Sequence, residues 1–145
     1  MKNRLFQITY AVVNMSLIAY GLMAAIAPAI LLEPFSVHVY KLPTSAIEAV
    51  RYLSALFRLQ GYFNLLLGAL GLLLLWRWRV RSEPWVLRTL IGITILSYLG
   101  PVVFDNTVGT IGLFEVIEHV VFLAALVLGF VMIAGSESKS GVENG

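Results

Sequence analysis

Four long apolar stretches separated by short polar breaks organise the 145-residue chain. They run from Leu5 to Leu32, from Ala46 to Trp76, from Trp85 to Phe104 and from Gly112 to Ala134. A helix rises about 1.5 Å per residue, so crossing a hydrocarbon core of about 30 Å takes roughly 20 residues, and each stretch reaches that length. The pattern predicts an all-α integral membrane protein, a bundle of four transmembrane helices over residues 1–134. From Gly135 to Gly145 the chain is mostly Ser, Gly, Glu and Lys with no apolar periodicity, which predicts a disordered tail.

The breaks carry further information. Arg77 to Pro84 is short, so the second and third helices are expected to be antiparallel neighbours. Glu33 to Ser45 is the one sizeable loop; its Pro34, Phe35, Val37, Val39, Tyr40, Leu42 and Pro43 suit a segment lying over the bundle mouth or resting on lipid headgroups. Lys2 and Arg4 precede the first stretch as they would in a signal peptide, but its apolar run exceeds the roughly 7 to 15 residues of such a leader, so a retained helix is expected.

Composition agrees: 59% of residues are hydrophobic, 12% are charged and the mean hydropathy is +0.88, outside the usual balance of soluble domains. The absence of cysteine excludes disulfides, thiolate nucleophiles and Cys-based metal sites. The net charge of +2 is small, and the basic residues flank apolar segments, leaving no nucleic-acid footprint. Lys2, Arg4, Arg77, Arg79, Arg81 and Arg88 gather on one side, against Lys41 and His38 on the other, so both termini are expected to be cytoplasmic. Trp76, Trp78 and Trp85 fit an aromatic belt at that interface.

Against this background the ionisable residues of the opposite side stand out, because a charge in a bilayer is costly unless it is paired, wet or functional. Counting about 20 residues from Trp76, Trp85 and Ala134 places the outer boundary near Arg58, Asp105 and Glu115, with Glu118 and His119 about a turn deeper and Asn64 and Asn14 deeper still. Glu115, Glu118 and His119 stand at i, i+3 and i+4 on one face; Arg51 and Arg58 are seven apart on another, with Tyr62 nearby. An Arg58 pairing with Glu115 or Glu118 would offset desolvation. The structural alternative is that the arginines snorkel and the carboxylates are solvated.

A metal is not expected: Glu115 to His119 is i, i+4, no second such motif exists, and arginines compete for the same carboxylates, whereas di-iron bundles repeat Glu-x-x-His on two helices. No phosphate loop, nucleophile elbow or HExxH is present, and no cofactor is expected. Gly61, Asn64, Gly68 and Gly71 follow a three-four spacing matched by Tyr10, Asn14 and Gly21, a small-residue stripe suited to close helix approach. Pro28 and Pro101 are expected to kink or end their helices.

Ala27-Pro28 closing the first helix, Arg58-x-x-Gly61 followed by Leu65-Leu66-Leu67-Gly68, Asp105 after the third helix and a glutamate early in the fourth together resemble the small four-helix membrane proteins of the DoxX-like and DUF4345-like group. Asp105-Asn106 stands where that group has Asp-Gly, and Ser97-Tyr98-Leu99 where it has an arginine. The resemblance implies the four-helix fold.

Two functional classes follow. One is a membrane enzyme acting on a lipophilic small molecule by acid–base chemistry, an isomerisation, cyclisation or epoxide opening. Glu115 and Glu118 would divide the acid and base roles, His119 or Asp105 would tune them, and Arg51, Arg58, Tyr62, Asn64 and Asn14 would hold the substrate. The other is a non-catalytic accessory or ligand-binding subunit. A transporter built from four helices without a repeat would need a homo-oligomer.

Overall fold

The structure, a computed structural model, describes residues 2–35, 47–108 and 113–142. Five helices carry them: α1 (Lys2–Ile26), α2 (Pro28–Phe35), α3 (Ile47–Arg81), α4 (Pro84–Val108) and α5 (Leu113–Val142). Four of these, α1, α3, α4 and α5, are long and apolar enough to cross a membrane. The protein is an all-α, multi-pass membrane bundle. Its exterior is apolar along the spans, with Leu5, Ile8, Val12, Leu66, Leu73, Val120 and Val127 all exposed, as lipid rather than water requires.

Helix boundaries depart from the sequence reading in instructive ways. The first stretch is two helices, because Pro28 has no N–H to continue α1 and instead occupies the first turn of α2, where none is needed. Ala27 bridges them: its N–H donates to Met23 O at 2.9 Å and its carbonyl accepts from Ile30 at 3.1 Å. Pro101, by contrast, lies inside α4, which continues to Val108. The backbone of α5 runs past Ala134 to Val142: extending a formed helix adds a hydrogen bond per residue without a new nucleus, and apolar periodicity does not register such an extension. The loop expected over the bundle mouth lies, from Ser36 onward and with His38, outside the described residues.

Around the bundle α1 packs against α3 and α5, and α4 packs against the same two helices, so α3 and α5 stand across a diagonal without an extended seam. The α1–α3 seam is the tightest. A Cβ added to Gly21 would sit 2.7 Å from Gly61 O and 2.8 Å from Leu65 N; one on Gly61 would meet Ala25 N and Gly21 O at 2.7 Å; one on Gly68 would meet Asn14 O at 2.7 Å. At Gly71 it would overlap the Asn14 amide. Only hydrogen fits where two helix backbones approach this closely. The expected small-residue stripes therefore form this antiparallel contact, Gly21 lying by Gly61 and Asn14 by Gly68 and Gly71.

The apolar core gathers toward the α3–α4 turn, where Phe6, Tyr10, Val13, Leu74, Trp78, Val86, Leu87 and Leu90 are buried. The turn itself is clamped. Ser82 takes a left-handed φ of 51° while its N–H donates to Trp78 O at 2.9 Å. Arg77 donates through Nε and Nη2 to both Glu83 oxygens at 3.0 to 3.1 Å, Trp85 Nε1 donates to Glu83 Oε2 at 2.6 Å, and the Arg77 guanidinium lies 5.4 Å over the Trp85 ring. The Arg77 hydrogen bonds, joined by that from Trp85 and by the charges of Arg77 and Arg81, outweigh desolvation and hold the Glu83 carboxyl below its ordinary value of 4.5.

Two outcomes are expected. Gly61→Ala should destabilise the bundle by about 1 to 3 kcal/mol through overpacking, whereas Gly92→Ala, whose Cβ meets nothing within 4 Å, should be neutral or slightly stabilising; equal melting shifts in detergent would contradict the seam. Because the Glu83 carboxyl is depressed in the folded state, its contribution is fully present above pH about 4.5 and is lost as pH falls through the lower folded value. Glu83→Gln should remove this acid-side part of the melting profile, and an unchanged profile would show that the clamp carries no stability.

Candidate functional site

The core ends before the far end of the bundle, the end away from the α3–α4 turn. Among the described residues, α3 before Gly61, α4 after Ser97 and α5 before Phe122 contain no buried side chain. α4 and α5 thus loosen toward that end, while α1 keeps Ala24 and Pro28 buried there and stays against Gly61 of α3; Tyr98, Glu118 and His119 lie where the packing of α4 and α5 stops.

Among the described residues, Phe122 is the last buried one of α5 in that direction. Tyr98 of α4 stacks on it, with ring centroids 5.3 Å apart and planes at 17°. The other side of the contact is His119, one turn earlier on α5, whose ring meets Tyr98 edge-on at 5.4 Å and 83°. Offset-stacked and edge-to-face arrangements are the favoured aromatic geometries, so Phe122 fixes Tyr98 and Tyr98 fixes the imidazole. Glu118 precedes His119 by about 100° of helical rotation and addresses the other neighbour, α1, where it lies within electrostatic reach of the Tyr20 phenol. Both Glu118 and His119 are half-buried. Four groups able to donate or accept protons, on three helices, therefore occupy the edge of the core.

The other candidates fall elsewhere. Arg51, Arg58 and Tyr62 are exposed on α3, across the diagonal from α5, so the bundle does not set the arginine face of α3 against the Glu118 and His119 face of α5 in a helix–helix seam. Sequence periodicity supplies each face but not the order of helices around the ring. Asn14 is buried at mid-span; its Nδ2 donates to Tyr10 O at 2.7 Å and its amide fills the space opposite Gly71, which makes it part of the α1–α3 contact. Asn64 is half-buried on the same side of α3 as Gly61 and Gly68. Asp105 lies within α4 and Glu115 within α5, and their side chains lie outside the described residues.

Deeper along the axis the Tyr10 hydroxyl reaches across the bundle to the Cα surface of Gly129, which Ile91 also covers. It approaches Thr94, whose own hydroxyl donates to Leu90 O at 2.9 Å, but among the described residues it has no partner in hydrogen-bond geometry. A groove of about 440 Å³ lined by Ala11, Val12, Met15, Ser16 and Ala19 opens on the lipid-facing side of α1 and contains no titratable group. No cluster of three His, Asp or Glu forms among the described residues.

Sequence reasoning passed over Tyr20 and gave Tyr98 no role. Tyr20 is six residues from Asn14, about 240° around α1, which turns it from α3 toward α5. A phenol inside an apolar span is the signal that marks both residues. Comparison with known proteins finds no matching family model, curated protein or solved structure.

Tyr98 is expected to shield and orient His119. In a His38→Gln background, which leaves His119 as the chain's single histidine, Tyr98→Ala should speed diethyl pyrocarbonate modification severalfold, while Tyr98→Phe, which keeps the edge contact, should not. Equal rates in all three proteins would show that the ring contact has no hold on the imidazole.

Proposed function

We propose that the protein acts on a lipophilic small molecule at the far end of the bundle by acid–base chemistry, with Glu118 as the proton-transferring group. The observation that carries this reading is the coincidence of the loosened ends of α4 and α5 with Tyr98, Glu118 and His119, with Tyr20 of α1 in electrostatic reach of Glu118. A hydrophobic substrate reaches such a site laterally from the bilayer, and its polar part meets the carboxylate and imidazole in surroundings drier than water, where positioned groups have more effect. His119, oriented by Tyr98, relays or receives the proton. Isomerisation, cyclisation and epoxide opening all need such a pair and no cofactor. Glu115 and Asp105, on the same ends of α5 and α4, extend the set of carboxylates available to it. The basic α3–α4 turn sets that side, with both termini, toward the cytoplasm, so the site opens to the opposite face.

A second reading is supported by the same contacts. Tyr98 already stands against His119, and Tyr20 lies in electrostatic reach of Glu118, a start on the polar lock joining α1, α4 and α5 that an accessory subunit would require.

Glu118→Gln separates the two, because it keeps size and most hydrogen bonds while removing proton transfer. Lipophilic extracts of cells producing the wild type should contain a species converted relative to cells lacking it, and Glu118→Gln should lower that conversion by about 10²- to 10⁴-fold with the melting temperature kept. Loss of the folded bundle would favour the lock, and unchanged conversion would remove Glu118 from the chemistry.

A further inference from the structure

One face of α3 runs the length of its span as a lipid-facing ribbon and ends in arginines. Eighteen residues are five helical turns, so Arg58 and Trp76 point the same way; both are exposed, Trp76 at 64%. Ala69, Leu73, Tyr62 and Leu66 lie within a quarter turn of that line and are exposed too. The rise from Trp76 to Arg58 is about 27 Å, close to the roughly 30 Å of a hydrocarbon core. With Trp76 in the aromatic belt of one interface, Arg58 falls at the boundary between acyl chains and phosphates of the other leaflet. Arg51, two turns further and in line with Arg58, rises about 10 Å more into the headgroup layer.

We infer that Arg51 and Arg58 form a binding site for an anionic phospholipid of the leaflet opposite the α3–α4 turn. The lipid phosphate sits between the two guanidinium groups, and its acyl chains lie along Tyr62, Leu66 and Leu73. Charge complementarity selects this occupant. An arginine on a lipid-exposed face extends toward the headgroups, and guanidinium binds phosphate through two parallel N–H donors. Two such cations in line favour a headgroup with net negative charge over a zwitterionic one, whose own cation they repel. Tyr62, exposed one turn inside Arg58, adds an amphipathic ring at the depth where the glycerol backbone lies.

The test is native mass spectrometry of the full chain in detergent, titrated with phosphatidylglycerol or phosphatidylcholine. Each basic residue near a membrane surface contributes a factor of about five to anionic-lipid binding. Arg51→Gln/Arg58→Gln should therefore weaken phosphatidylglycerol binding about twentyfold and leave phosphatidylcholine unchanged. Arg79→Gln, at the opposite end, reports the binding lost with a single basic residue elsewhere and should cost no more than about fivefold. Arg51→Lys/Arg58→Lys keeps charge without the fork geometry; it should retain the preference for phosphatidylglycerol at intermediate affinity, and it serves as the test if the glutamine pair does not fold. Equal binding of phosphatidylglycerol by the wild type and the glutamine pair would overturn the site. So would equal binding of the two lipids by the wild type, or displacement of phosphatidylglycerol by equimolar sn-glycerol 3-phosphate, which would reveal a site for a soluble anion.

Discussion

The backbone contact between α1 and α3 is the constraint on which the remaining architecture depends. In lipid no hydrophobic force draws apolar helices together, since the acyl chains are as apolar as the side chains they would release; dispersion contact at short range must do it. Gly21 against Gly61, and Gly68 and Gly71 against Asn14, supply that contact over most of the span. These helices are not joined by a short turn, because α2 and the segment after it intervene. Their pairing closes the ring. It also sets the axial register: once Asn14 is seated opposite Gly71, Tyr10 is directed at Gly129, which Ile91 also covers, and the depth of α5 and α4 follows.

With one seam fixed by backbone approach, the other helices need be held firmly at only one end. The Arg77, Glu83 and Trp85 clamp ties α3 to α4 at the turn, and the core from Phe6 to Trp78 fills the same end. Toward the other end the packing of α4 and α5 relaxes beyond Ser97 and Phe122. The looser ends of α4 and α5 are where Tyr98, Glu118 and His119 lie. Low packing density and function commonly coincide.

Much of this was legible in the chain. Span number and class followed from the length and apolarity of four stretches, because satisfying every backbone group in lipid leaves a helix as the form open to such segments. The Gly61, Gly68 and Gly71 stripe was legible as a packing surface, since glycine at helical spacing has few other uses in a span. That Arg58 and Glu118 would be set on helices across a diagonal was not, because a helical wheel gives the direction of a side chain relative to its own axis and says nothing of which helix stands there. That depends on the ring order, which the α1–α3 seam decides. Tyr20 and Tyr98 escaped for a related reason: neither belongs to a charged pattern, and their importance lies in what α5 brings beside them.

The separation of charges around the bundle has a chemical consequence. A guanidinium bound to a carboxylate occupies its lone pairs and favours its ionised form, which suits a structural tie and handicaps proton transfer. A neighbouring phenol can donate a hydrogen bond without adding charge. By setting Arg51 and Arg58 on the lipid-facing side of α3, across the diagonal from Glu118, the fold gives cations and carboxylate different surroundings. The arginines face a layer rich in phosphate, where their charge is matched by the membrane itself. His119 meets the Tyr98 ring and Glu118 lies in electrostatic reach of the Tyr20 phenol, at the edge of the apolar core. Two sets of charges that would neutralise each other in contact are thus kept apart by helix order alone, and that order rests on glycines in the α1–α3 seam.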